Sequence, residues 1–227
     1  MPDKQTPAVP VRPTNRLLRL AGPLLLITIL TAASLYAFSG FGNRMRGDSA
    51  GAASCSAAKT LAKALSPLTT GEIAALKVEE TPRPMPQLSF QTAKGESVSL
   101  EKWRGRTVLL NLWATWCAPC RAEMPALDAL QAALGGPDFE VVAVNIDTRN
   151  PEKPRAFLEE IRIAKLGFYA DPSARIFQDL KAAGLAFGMP TTVLIDQNGC
   201  ILASLAGPAE WASPEALAFI KAALRRG

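Results

Sequence analysis

The chain has 227 residues, with 48% hydrophobic and 20% charged, a globular balance long enough for one domain with a sizeable core plus extensions. Its net charge of +5 is concentrated at the start, where Lys4, Arg12, Arg16 and Arg19 stand against Asp3; the rest is near neutral and lacks the clustered basic footprint of a nucleic-acid binder. Histidine is absent, which excludes Ser–His–Asp triads, Cys–His dyads and His-ligated metal sites and leaves the chemistry to Cys, carboxylates or Lys.

Residues 1–19 read as a basic tail. Leu20 to Phe41 carries no charge over its 22 residues, and as a helix would measure about 33 Å against a hydrocarbon core of about 30 Å. The expected element is a single transmembrane anchor, a cleaved signal peptide being the alternative. The basic tail outweighs Arg44 and Arg46 beyond the span, so the positive-inside rule places residues 1–19 in the cytoplasm and 43–227 in the periplasm. Residues 42–54, rich in Gly, Ala and Ser, read as a tether. Residues 55–87 read as a small extension, a helix over Cys55–Leu65 followed by a proline-bearing connector.

Residues 88–227 carry the pattern of a compact domain. A hairpin is expected over Leu88–Leu100 with its turn at Gly95. The apolar runs Thr107–Trp113, Phe139–Asp147 and Thr191–Asp196 read as buried strands. Residues 117–134 read as a helix with Met124, Leu127, Leu130 and Leu134 on one face and a kink expected at Pro125. Helices are expected over 151–165 and 172–183. Asn198-Gly199 turns the third strand into a return over Ile201–Leu205, and Ser213 caps a last helix starting at Pro214. Strand–helix–strand units followed by a hairpin give an α/β fold with a mixed sheet flanked by helices.

The chemistry concentrates at Trp116-Cys117-Ala118-Pro119-Cys120, at a strand-to-helix junction. Disulfide exchange needs a thiolate, and a helix N-terminus supplies unpaired N–H groups and a positive dipole end that favour one at Cys117. The spacing brings Cys120 within bonding reach. A zinc site would need further ligands near the pair, and Cys55 and Cys200 are single and distant. These two are expected to form a structural disulfide outside the cytoplasm, with two free buried thiols as the alternative.

WATWCAPC, followed by Glu123 and later by Gly188-Met189-Pro190-Thr191, resembles the thioredoxin superfamily. The strand NLWATWC, the strand end NIDT, the segment GPAEWAS and the two extra cysteines are similar to its membrane-anchored TlpA branch. The resemblance implies a thioredoxin-like fold and a thiol:disulfide oxidoreductase in which Cys117 attacks, Cys120 resolves, and Pro190 is a cis-proline facing the pair. Cytosolic members carry a buried Asp where this chain has Asn111, so Glu123 is expected to take the proton of Cys120; a solvent-exposed first-turn Glu is the alternative. The resemblance further implies a reductant of partner-protein disulfides, with clients that are cysteine pairs of copper sites in cytochrome oxidase assembly. The alternative client is the apocytochrome c pair. A transmembrane thiol reductase would recycle the protein, with no cofactor. A thioredoxin-fold copper chaperone is the rival from another class, but its two cysteines separated by three residues and its His are both missing.

Overall fold

The computed structural model describes residues 55–225, so the expected anchor over 20–41 and the tether over 42–54 lie outside the described residues. Among the described residues no helix is long and apolar enough to cross a membrane. The centre of the domain is strand β4, Thr107–Trp113, in which every residue is buried. A strand covered on both faces reads as one apolar run rather than an alternation, which is why it stands out in the sequence. On one side β5 (Phe139–Asn145) pairs with it in parallel; on the other β7 (Thr191–Ile195) pairs with it antiparallel, and β8 (Ile201–Ala206) follows antiparallel to β7. The parallel pair is joined by helix α2, Ala118–Leu134, whose Met124, Leu127 and Leu130 are buried. Helix α2 runs through Pro125 as one element, although the proline lacks the N–H that would reach the carbonyl of Arg121.

Among the described residues eight strands lie in one sheet, ordered β1 (Lys77–Val78), β8, β7, β4, β5, β6 (Tyr169–Ala170), β2 (Ser89–Thr92) and β3 (Ser97–Ser99). The hairpin of β2 (Ser89–Thr92) and β3 (Ser97–Ser99) joins it through β6, Tyr169–Ala170, which pairs parallel with β5 and antiparallel with β2. Phe90, Trp103 and Tyr169 seal this joint, with ring centroids 5.5–5.8 Å apart. At two residues β6 is too short to show a period, and the sequence reading missed it.

The connector after helix α1 (Ala58–Leu65) is also more regular than its composition suggests. Within it β1, Lys77–Val78, pairs with β8. Further along, Ile201 N–H donates to Arg83 O and Met85 N–H to Gly199 O, each at 2.9 Å. Prolines at 82, 84 and 86 obscure this edge strand in the sequence, because an edge position tolerates a missing N–H that a central strand would not. Helices α3 (Lys153–Glu160) and α4 (Arg175–Ala182) are shorter than the spans 151–165 and 172–183 expected from periodicity. Helix α3 stops where Arg162 enters the left-handed region (φ 59°), and α4 starts late because Asp171 binds the N–H groups of Ser173 and Ile176. Helix α5, Pro214–Leu224, begins as expected, with Ser213 Oγ accepting from Ala216 N–H at 3.2 Å.

Candidate functional site

Strand β4 ends at Trp113, and the four residues to Cys117 carry the chain into helix α2. Thr115 N–H donates to both carboxylate oxygens of Asp147 at 3.2 Å, and Asp147 N–H donates in turn to Asn145 Oδ1 at 3.0 Å. The loop before the cysteines is thereby tied to the end of β5. Cys117 is the N-cap of α2, with extended backbone, and its Sγ accepts from Cys120 N–H at 3.2 Å. The same donor that caps the helix therefore stabilises negative charge on Cys117 sulfur. Cys117 and Cys120 are joined, with S–S 2.01 Å and Cα–Cα 5.3 Å. Cys117 is 6% exposed and Cys120 is 0% exposed, so solvent and a partner's disulfide reach Cys117 first.

The Met189–Pro190 peptide bond is cis. Since Thr191 is paired with Leu112, Pro190 follows at the level where β4 gives way to the cysteine loop. The exposed large hydrophobic residues of the described part are Trp116, directly before Cys117, and Phe187, three residues before Pro190.

Glu123 lies one helical turn beyond Cys120 and is 4% exposed, which removes the alternative of a solvent-facing first-turn charge. Its Oε1 accepts the indole N–H of Trp211, itself fully buried; its Oε2 makes no hydrogen bond of good geometry among the described residues. Asn111 on β4 donates its Nδ2 to Thr192 Oγ1 at 3.0 Å and, among the described residues, leaves Oδ1 without a partner. Burial pushes the Glu123 carboxyl up to about 7; the Trp211 indole, the Ala209 backbone and the Asn111 side chain hold it back, and the nearby charge of Glu210 adds to the rise. A carboxyl poised there can hold or release a proton near neutrality.

Cys55 and Cys200 are joined at S–S 1.98 Å, both buried, at the end of β7 away from Thr191. They fix the start of α1 to the turn before β8 and are not brought to the Cys117–Cys120 pair. Sequence reasoning missed three features of the site. Asp147 and Trp211 fall within the NIDT and GPAEWAS segments, which carried a resemblance but no role. Phe187 is a lone aromatic, and no local pattern distinguishes it.

The Redoxin family model matches residues 80–220, more than half of the chain. Thioredoxin-like protein YneN of Bacillus subtilis is 37% identical over 124 residues, 51% of this chain and 65% of that protein. Thiol-disulfide oxidoreductase ResA of Geobacillus thermodenitrificans is 33% identical over 124 residues, 54% of this chain and 67% of that protein. The chain thus spans about two-thirds of the length of these relatives. The solved structure of a DsbE-type thiol:disulfide interchange protein from Chlorobium tepidum superposes with a TM-score of 0.55 at 31% identity, over 66% of this chain and 98% of that one. The cysteine pair, the cis-proline and strands β2 to β8 sit within the matched region, and the chain belongs to the Redoxin family, with thioredoxin-like thiol:disulfide oxidoreductases as its homologues.

Proposed function

We propose that this protein is an extracytoplasmic thiol:disulfide oxidoreductase that reduces disulfides of partner proteins through Cys117 and Cys120. The observation that carries the reading is the sulfur of Cys117 at a helix start, accepting a backbone N–H and more exposed than its partner. In the reduced protein the Cys117 thiolate attacks one sulfur of the client disulfide, forming a mixed disulfide and releasing the other client sulfur as a thiolate. Cys120 passes its proton to Glu123 and attacks Cys117 Sγ. The Cys117–Cys120 disulfide forms, the bond to the client breaks, and the client leaves as a dithiol with two electrons gained. The Met189–Pro190 bond is cis; by the resemblance Pro190 faces the pair, and the Met189 backbone would pair with an extended client segment. Trp116 and Phe187 give that client an apolar rim.

The proposed setting is the periplasmic face of the cytoplasmic membrane, with residues 20–41 as anchor and 1–19 inside. The uncharged span, its basic flank and a buried Cys55–Cys200 bond that persists in an oxidising compartment support it. The resemblance to the TlpA branch supports copper-site cysteine pairs of cytochrome oxidase assembly as clients and a transmembrane thiol reductase as electron donor. The test is reduction of insulin disulfides by the dithiol form. Wild type is expected to turn over with a chemical reductant, and Cys117→Ser to be inactive. Full activity in Cys117→Ser would refute the assignment.

A further inference from the structure

Trp211 contributes an indole N–H, which can donate a hydrogen bond and cannot accept one. It donates to Glu123 Oε1 across 88 residues of sequence, with both side chains buried. The turn that carries Trp211 also has bonds of its own. Ser213 N–H donates to Glu210 O at 3.0 Å, and Ser213 then caps α5. Oε1 is therefore occupied by a donor, which favours keeping it the proton-free, carbonyl-type oxygen of the neutral acid. Oε2 is shielded from water and, among the described residues, makes no hydrogen bond of good geometry, so it is the oxygen with room for a proton. Among the described residues Asn111 Oδ1 is likewise a buried acceptor without a donor.

We propose that Trp211 is a positioning residue: by holding Oε1 it makes Oε2 the oxygen of Glu123 that takes the proton of Cys120 during resolution. The inference rests on the reading of Glu123 as that proton acceptor and adds the residue that orients it. When Cys120 S–H gives up its proton, the Oε2–H bond forms, and the Cys120 thiolate uses its freed electron pair on Cys117 Sγ. Protonated Oε2 becomes a donor. The charged groups around Glu123 are few. Glu210, from the segment before α5, is the carboxylate that acts on it; Cys120 on its own helix titrates when reduced; β4 and β7 present the neutral Asn111 and Thr192.

Three measurements decide it. In the oxidised wild type, the Trp211 indole N–H resonance is expected to shift with pH at the midpoint of the Glu123 carboxyl, and to stop titrating in Glu123→Gln; an indole signal indifferent to Glu123 overturns the proposal without any substitution at Trp211. In Trp211→Phe, which keeps an aromatic ring and removes the donor, the Glu123 carboxyl midpoint is expected to rise by about one pH unit, the scale of one charge-assisted hydrogen bond. The pH profile of single-turnover resolution, measured from the preformed mixed disulfide, is expected to move by the same amount. A profile sensitive to Glu123→Gln but unmoved by Trp211→Phe leaves Glu123 as the acceptor and overturns the role of Trp211. A profile indifferent to Glu123→Gln removes the proton-acceptor reading, and the inference with it.

Discussion

Glu123 is held inside the domain between α2, β4 and the segment before α5, and its burial has a consequence for stability as well as for proton transfer. Its folded carboxyl titrates at about 7 against 4.5 for the free group. A raised value means that the protonated form is favoured on folding. The contribution is therefore complete below the unfolded value and is lost as pH rises through about 7, which amounts to about 3 kcal/mol once the carboxyl is ionised. We expect the unfolding free energy of oxidised wild type, compared with Glu123→Gln, to fall by that order between about pH 4 and about pH 8. Parallel pH curves for the two proteins in urea titrations would show that Glu123 is solvated. The cysteine pair was legible at this scale because a thiolate has a known place at a helix start. Glu123 was singled out by its resemblance to the carboxylate of extracytoplasmic reductants, with Asn111 standing where cytosolic members carry an Asp. Trp211 was not, since a hydrogen bond between residues 88 apart leaves no spacing to read.

Two helices end in the same way with different residues. After α3, Arg162 N–H donates to Glu159 O at 3.0 Å and Ile163 N–H to Leu158 O at 2.9 Å; after α4, Gly184 N–H donates to Lys181 O at 3.0 Å and Leu185 N–H to Leu180 O at 2.9 Å. Both are Schellman ends, with the left-handed position filled by Arg162 (φ 59°) in one and Gly184 (φ 72°) in the other. A side chain at that φ costs energy that glycine does not, so Arg162→Gly should stabilise the domain by about 0.5–1 kcal/mol, less the entropy glycine adds to the unfolded chain. Chemical denaturation measures it, and a destabilised variant would mean that the Arg162 side chain makes contacts worth more than the strain. The contrast also explains what was legible. The end of α4 had its glycine signal. The apolar periodicity past Glu160 continued through Ile161 and Ile163, which pack on the core after the helix has ended, so α3 looked longer than it is.

The Cys55–Cys200 bond ties the first described residue to the far end of the β7–β8 hairpin, and the connector then runs along β8 as the edge of the sheet. It closes a loop with a sequence separation of 145 residues, for which the chain-entropy model gives about 4–5 kcal/mol. Replacing both cysteines by Ala is expected to cost most of that in denaturant titrations and to loosen α1, read as faster amide exchange at Ala62 and Leu65. An unchanged midpoint would mean that the edge pairing alone holds the extension. At this scale the α/β order and the antiparallel terminal hairpin followed from the succession of apolar runs. The place of the first hairpin did not, because it depends on β6, two residues long, which joins β2 to β5.

The central claim, that Cys117 attacks and Cys120 resolves, is tested most directly by trapping. Reduced Cys120→Ser, mixed with a disulfide-bonded client peptide, is expected to accumulate a mixed disulfide that peptide mapping places on Cys117, while Cys117→Ser forms none under the same conditions. Accumulation of the conjugate through Cys120 in Cys117→Ser, with none through Cys117, would contradict it.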